Sequence, residues 1–252
     1  TALVTGAAGG MGRAICAALL EQGCRVVLVD RDEAALAALA SDLGGNTCTL
    51  ALDITDAARV DRIPDLLPEG FRQVDILVNN AGHDIGGRKR FDVGSPDDWT
   101  AIIETNLIGL MRVTRALLPA MVARNTGDIV NISSISAMRL VPDQAPYSAS
   151  KAGVHMLTDI IRGELEEARA GQQQVIELVD DIEGDVSRSV IGGQYYQQSL
   201  SQGLSALQEP IVDDLPSVLS DLQESTQLMQ DQQEKFLYRL RAAQQEITHL
   251  RS

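Results

Sequence analysis

Tyr147 and Lys151 lie four residues apart in a stretch whose pattern reads as a helix. Residues at that spacing share a helix face, so the phenol and the ammonium point into the same space. A phenol with an ordinary pKa of ~10 is a poor base at neutral pH. A neighbouring ammonium favours the phenolate, so Tyr147 can take a proton from an alcohol or return one to a ketone. The chain holds three lysines, Lys89, Lys151 and Lys235, against eighteen arginines. Lysine at 151 therefore breaks the chain's habit, and its slim stem and compact ammonium differ from a guanidinium fork. Ser133, Ser134 and Ser136 precede the pair, and the hydroxyl of each can hold a substrate oxygen and stabilise developing charge. Asn106 falls in the middle of a helical stretch, where asparagine has poor propensity.

A second group of residues suits a dinucleotide. Thr5-Gly6-Ala7-Ala8-Gly9-Gly10-Met11-Gly12 closes a short apolar run and opens a helix. Glycines let the backbone approach a pyrophosphate, and the helix start offers unpaired N–H groups and a positive dipole end. Gly6, Gly10, Met11 and Gly12 are the candidate contacts. Asp30 ends the next apolar run, 18 residues after Gly12. A carboxylate there accepts both hydroxyls of an adenosine ribose and repels a 2′-phosphate. The expected cofactor is NAD rather than NADP, with Arg31 next door softening that exclusion.

The elements that must position these groups alternate. Short apolar runs at Ala2–Thr5, Arg25–Asp30, Cys48–Asp53, Val74–Asn79 and Asp128–Ser133 have the length of strands buried on both faces. Helical patterns lie between and after them, at Met11–Gln22, Asp32–Leu43, Asp56–Leu67, Pro96–Arg124 and Tyr147–Arg169. Such alternation predicts an α/β fold, a doubly wound parallel sheet of Rossmann type with helices on both faces.

The glycine spacing, Gly6-x-x-x-Gly10-x-Gly12, is not the usual GxGxxG, and it resembles the short-chain dehydrogenase/reductase family. Asp53-Ile54 at the third strand's end, Asn79-Asn80-Ala81-Gly82 at the fourth, Asn106, Ser134 and the Tyr147-x-x-x-Lys151 pair repeat that family's motifs in order. Ser134 and Tyr147 are 13 residues apart, the family's usual separation, which selects Ser134 among the three serines. The resemblance covers residues 1–170. It implies a catalytic set of Asn106, Ser134, Tyr147 and Lys151, with Asn106 holding a water that links Lys151 to solvent. It also implies cofactor contacts from Asp53, Ile54, Asn80, Ala81 and Gly82, besides Tyr147 and Lys151. The implied activity is hydride transfer between a nicotinamide and a secondary alcohol or ketone. His83–Gly94 and Ala137–Pro146 are the expected walls of the substrate pocket. The Arg88-Lys89-Arg90 cluster in the first reads as a solvated loop before it reads as a carboxylate site.

Composition bounds the rest. The 21 basic and 35 acidic residues give a net charge of −14, which disfavours nucleic acid as a partner. No apolar run in the sequence approaches the ~18 residues of a membrane span. Cys16, Cys24 and Cys48 are odd in number and lack CxxC spacing, so they read as reduced thiols of a cytoplasmic protein. No metal site is expected from the scattered His83, His155 and His249. The family resemblance implies a small alcohol or carbonyl compound as the partner, and a homo-oligomer where the tail permits it.

The last third of the chain uses a different vocabulary. Residues 1–170 hold three glutamines and 25 alanines, whereas residues 171–252 hold fifteen and three. The expected organisation is a catalytic domain over 1–170 and a Gln-rich helical segment over 171–252. Leu215, Leu222, Met229, Phe236, Ala243 and Leu250 recur every seven residues, with Leu219, Thr226, Gln233, Leu240 and Ile247 as a companion series. That period predicts a helix with a coiled-coil seam. The catalytic helix is expected to run on into this segment, with breaks near Gly192-Gly193, at Pro210 and at Pro216. A competing reading makes Val175–Val179 the remnant of a sixth strand. A second functional class follows from the seam: an interaction or signalling module on a non-catalytic nucleotide-binding scaffold.

Overall fold

The computed structural model describes residues 1–207 and 215–250. Strands β1 (Ala2–Thr5), β2 (Val26–Asp30), β3 (Thr47–Ala51), β4 (Ile76–Asn79) and β5 (Asp128–Asn131) form one parallel sheet in the order β3-β2-β1-β4-β5. Each was expected where it stands, to within two residues at either end. The pleat sends alternate side chains to opposite faces. Leu3, Val27, Val29 and Leu77 therefore enter one core, while Val4, Val26, Leu28 and Val78 enter another. The fold is of the expected Rossmann type, with helices against both faces.

Helices α1 (Gly10–Glu21) and α2 (Glu33–Leu43) cover the second core through Cys16, Leu36 and Leu39. Asp32 caps α2 by accepting the Ala35 N–H at 2.9 Å. Burial pushes the Cys16 thiol up to about 11, which marks it as a core thiol and not a nucleophile. The helix expected over Asp56–Leu67 is two single turns, α3 (Ala57–Val60) and α4 (Ile63–Leu66). Pro64 explains the interruption, because it lacks an N–H and fits only the start of a helix.

The long helix on the first core runs as α5 (Pro96–Ile103), a π-helical segment Glu104–Gly109 and α6 (Leu110–Ala123). Together, Pro96–Ala123 is long and apolar enough to cross a membrane, which the sequence reading did not anticipate. Its apolar face is occupied here: Val113, Leu117 and Met121 pack in the core beneath the sheet.

Helix α7 spans Ala145–Leu207 and α8 spans Leu215–Leu250. The break expected at Gly192-Gly193 is not there. Interior glycine costs a helix only about 1 kcal/mol, too little to stop a long one. Val175–Val179 is helical, and among the described residues the sheet has five strands. Pro216 sits in the first turn of α8, where proline is tolerated, and Pro210 lies outside the described residues. On α8, Leu222, Met229 and Phe236 are half-buried at seven-residue spacing, while Leu219 of the companion series is exposed. The side chains of Leu215, Gln233, Leu240, Ala243, Ile247 and Leu250 lie outside the described set. The chain divides into two compact units, Thr1–Ile161 and Arg162–Ser252, and the division falls inside α7.

Candidate active site

Strand order reverses between β1 and β4, and in open parallel sheets the crevice at such a point receives ligands. The two strand ends are tied together. Thr5 Oγ1 accepts the Asn80 and Ala81 N–H groups at 3.1 Å each, and Asn80 Nδ2 donates to the Thr5 and Gly6 carbonyls at 3.0 Å each. A cleft of about 320 Å³ opens above them. Its lining contains the expected contacts Gly6, Gly10, Met11, Gly12, Asp30, Arg31, Asp53, Ile54, Asn80, Ala81 and Gly82. Tyr147 and Lys151 are not part of it, whereas Gly9, Val29, Leu52, His83 and Thr105 are additions.

The loop fits a pyrophosphate on structural grounds. Gly6 has a φ of +63°, and a β-carbon there would lie 2.8 Å from the Ala81 Cα. One on Gly12 would lie 2.1 Å from the Gly6 carbonyl oxygen. Gly10 is different, since a β-carbon there would meet nothing within 4 Å, which leaves open space over the helix start. The N-cap of α1 is Gly9, with no side chain to satisfy the first N–H groups. A helix start in this condition suits an anion.

Two carboxylates border the cleft, and both are engaged. Asp30 accepts the N–H of Ala8 at 3.1 Å with one oxygen and that of Asp32 at 3.2 Å with the other. Asp53 accepts the Thr55 N–H and hydroxyl at 2.9 and 2.8 Å. Burial alone would raise the Asp53 carboxyl, but those two bonds and the charges of Arg31 and His83 hold it below the usual range.

Three of the groups expected to do chemistry, Asn106, Tyr147 and Lys151, come together beside this cleft. Asn106 is fully buried in the π-helical segment, a distortion that often accompanies function. Its Oδ1 accepts the His83 N–H at 2.8 Å, and its Nδ2 donates to the His83 carbonyl at 2.9 Å and to Ser150 Oγ at 3.2 Å. A β-carbon on Gly82 would lie 3.0 Å from Asn106 Oδ1 and 3.4 Å from Lys151 Nζ, so glycine there lets the three converge. Lys151 is 5% exposed and donates to the Ile132 carbonyl at 2.8 Å. Burial lowers its pKa. Its Nζ stands 5.9 Å from the centroid of the Tyr147 ring, on the shared face that the spacing predicts.

The three serines separate by what they touch. Ser133 Oγ donates to the Lys151 carbonyl, and Ser136 is buried. Ser134 Oγ accepts the Ser136 N–H at 3.2 Å, an arrangement that leaves its own O–H to donate elsewhere. Ile132 and Ser133 are thus fastened to α7 at Lys151, one through its ammonium and the other through its carbonyl. Ser150, whose Oγ donates to the Tyr147 carbonyl at 2.7 Å, went unnoticed in the sequence, although it lies three residues beyond Tyr147. His83 was expected only as the first residue of a substrate-pocket wall, and its place in the cofactor cleft was not.

The two expected substrate walls touch each other. The Lys89 N–H donates to the Asp143 carbonyl at 3.1 Å, and Gln144 Nε2 donates to Asp84 Oδ2 at 2.7 Å. Arg88, Lys89 and Arg90 are exposed, and Arg90 pairs with Asp92 at 2.8 Å. Among the described residues no group of three His, Cys, Asp or Glu is placed to hold a metal ion.

Removing the Asn106 carboxamide is expected to destabilise the fold. Asn106→Leu leaves the His83 N–H and C=O without partners, and each buried orphan costs about 1–3 kcal/mol. Denaturant unfolding should show a loss of about 2–4 kcal/mol; a loss under ~0.5 kcal/mol would mean that water replaces the clamp.

Comparison with known proteins agrees with this fold and corrects one expectation. A Haemophilus influenzae protein named "Probable NADP-dependent dehydrogenase" is 42% identical over 165 residues, 66% of this chain and 65% of its own length. The NADP-dependent 3-hydroxy acid dehydrogenase of Salmonella typhi is 38% identical over 163 residues, 65% of each chain. This chain therefore spans less than two thirds of either relative. The closed form of serine dehydrogenase complexed with NADP+ superposes with a TM-score of 0.63 at 35% identity, covering 66% of each chain. The expectation of NAD is overturned by these NADP-dependent relatives. The cleft lining contains a feature that suits the 2′-phosphate: Arg31, whose guanidinium is a cationic partner for it. Residues 1–173 match the family model for short chain dehydrogenase, and the chain belongs to that oxidoreductase family.

Proposed function

We propose that this chain is an NADP-dependent oxidoreductase that interconverts a secondary alcohol and a ketone, with a small hydroxy acid as the substrate class. The observation that carries this reading is the buried ammonium of Lys151, held between the Ile132 carbonyl and the Tyr147 ring beside a dinucleotide-sized cleft. Burying a charge is costly, so a buried lysine with a shifted pKa marks a functional position. The bound nicotinamide supplies the hydride acceptor or donor. Tyr147 takes the alcohol proton during oxidation and returns it during reduction. Lys151 stabilises the negative charge on the tyrosine oxygen once the proton has left. Ser134 donates to the substrate oxygen and holds it toward Tyr147. Asn106 braces His83 and, through Ser150, the backbone of Tyr147.

The hydroxy-acid class follows the named relatives, a 3-hydroxy acid dehydrogenase and a serine dehydrogenase. The negative charge argues against nucleic acid, and the free Cys16, Cys24 and Cys48 fit a reducing, cytoplasmic setting. Segment 171–252 is read as an appendage to a catalytic domain over 1–170. Its half-buried Leu222, Met229 and Phe236 favour a helical pairing surface, through which the chain would self-associate or bind a partner.

Arg31 provides the test of the cofactor. Wild-type protein should bind NADPH more tightly than NADH in a fluorescence titration. A charge-assisted bond to the 2′-phosphate is worth roughly 1.5–3 kcal/mol, so Arg31→Ala should weaken NADPH binding about tenfold or more and leave NADH within about twofold. Equal losses for both cofactors would mean that Arg31 does not read the phosphate.

A further inference from the structure

His83 joins the cofactor cleft to the catalytic cluster, and one of its ring atoms lacks a partner. Its backbone is held on both sides by Asn106, through the N–H at 2.8 Å and the carbonyl at 2.9 Å. Its Nε2 pairs with Thr105 Oγ1 at 3.0 Å, and Thr105 lines the same cleft. Three contacts therefore fix where the imidazole stands. The remaining polar atom, Nδ1, is buried and has no hydrogen-bond partner. A buried polar atom without a partner is costly, and because His83 lines the cleft, a bound ligand is the partner its ring is placed to gain.

The ring's charge state narrows the choice of ligand atom. Burial and the Arg31 charge push the His83 pKa down, against the opposing pull of Asp53 and Asp84. The imidazole is then neutral at neutral pH, with one nitrogen donating and the other accepting. A phosphate calls for a cation or a set of donors, which Arg31 and the uncapped start of α1 already offer. A hydroxyl both donates and accepts, so it matches Nδ1 whichever tautomer Thr105 selects.

We propose that His83 is a further cofactor-binding residue, whose Nδ1 hydrogen-bonds a ribose hydroxyl of the bound dinucleotide. This rests on the dinucleotide reading of the cleft. It makes the side chain after Asn79-Asn80-Ala81-Gly82 part of the binding surface.

Two substitutions separate binding from support of the fold. In His83→Asn the side-chain amide stands where Nδ1 stands, whereas in His83→Gln it stands where Nε2 stands and can still meet Thr105. NADPH titration should give His83→Asn within about twofold of wild type, and His83→Gln about fivefold weaker, the scale of one neutral hydrogen bond. Thermal unfolding without cofactor should rank the two the other way, since only the glutamine keeps the Thr105 contact. If both variants bind like wild type, or if the asparagine is weakened as much as the glutamine, the assignment is overturned while the cofactor reading stands. If wild-type protein binds neither NADPH nor NADH, both are overturned.

Discussion

Turnover of Tyr147→Phe is expected to fall by two or more powers of ten, while its NADPH affinity stays within about twofold of wild type. The substitution removes one hydroxyl and keeps the ring, so the packing around Lys151 is preserved. Tyr147 does not line the dinucleotide cleft, which is why binding and turnover should separate. Steady-state rates with a hydroxy-acid substrate, set beside a cofactor titration, provide the check. A variant within a factor of about three of wild type in turnover would mean that another group moves the proton.

Gly12→Ala is expected to damage both the fold and the cofactor site. The added carbon would stand 2.1 Å from the Gly6 carbonyl oxygen and 2.8 Å from the Ala7 Cα. Both are backbone atoms, so the loop itself has to move. Overpacking of this kind costs about 1–3 kcal/mol, and the displaced loop no longer presents its N–H groups to a pyrophosphate. Thermal unfolding should drop by several degrees and NADPH affinity by roughly a hundredfold. Gly10→Ala is the control, because its β-carbon meets nothing within 4 Å in the free protein. It should melt like wild type. Indistinguishable melting of the two variants would show that the loop accommodates bulk at position 12.

The centre of the sheet was legible because β1, β2 and β4 are largely buried and read as apolar runs, as in Val26–Val29. The interruption near Pro64 was written in the sequence but outweighed by the apolar period around it. The π-helical turn was not legible. It carries the Asn106 carboxamide that reaches the His83 backbone 23 residues away, and no local pattern encodes that contact. The misjudged cofactor has a similar origin. Asp30 stands at the right position, yet its oxygens close the glycine loop through Ala8 and cap the following turn through Asp32. Ala8 becomes a neighbour of Asp30 only when β1 and β2 pair, whereas Asp32 lies two residues further along the chain. In the tail, the seven-residue period announced a helix correctly, whereas the glycine pair at 192–193 was given more power to break it than its small cost allows.

The central claim is that this chain moves hydride between NADP and a hydroxy acid through Tyr147. The most direct measurement is absorbance at the reduced-nicotinamide band with the full chain, NADP and a panel of 3-hydroxy acids whose hydroxyl is secondary, run in parallel with NAD. NADPH should accumulate with at least one of these substrates, faster than NADH does, and Tyr147→Phe should abolish the signal. Tight NADPH binding with no reduction of NADP by any member of the panel, in either cofactor series, would contradict it and leave the chain a nucleotide-binding scaffold with a helical tail.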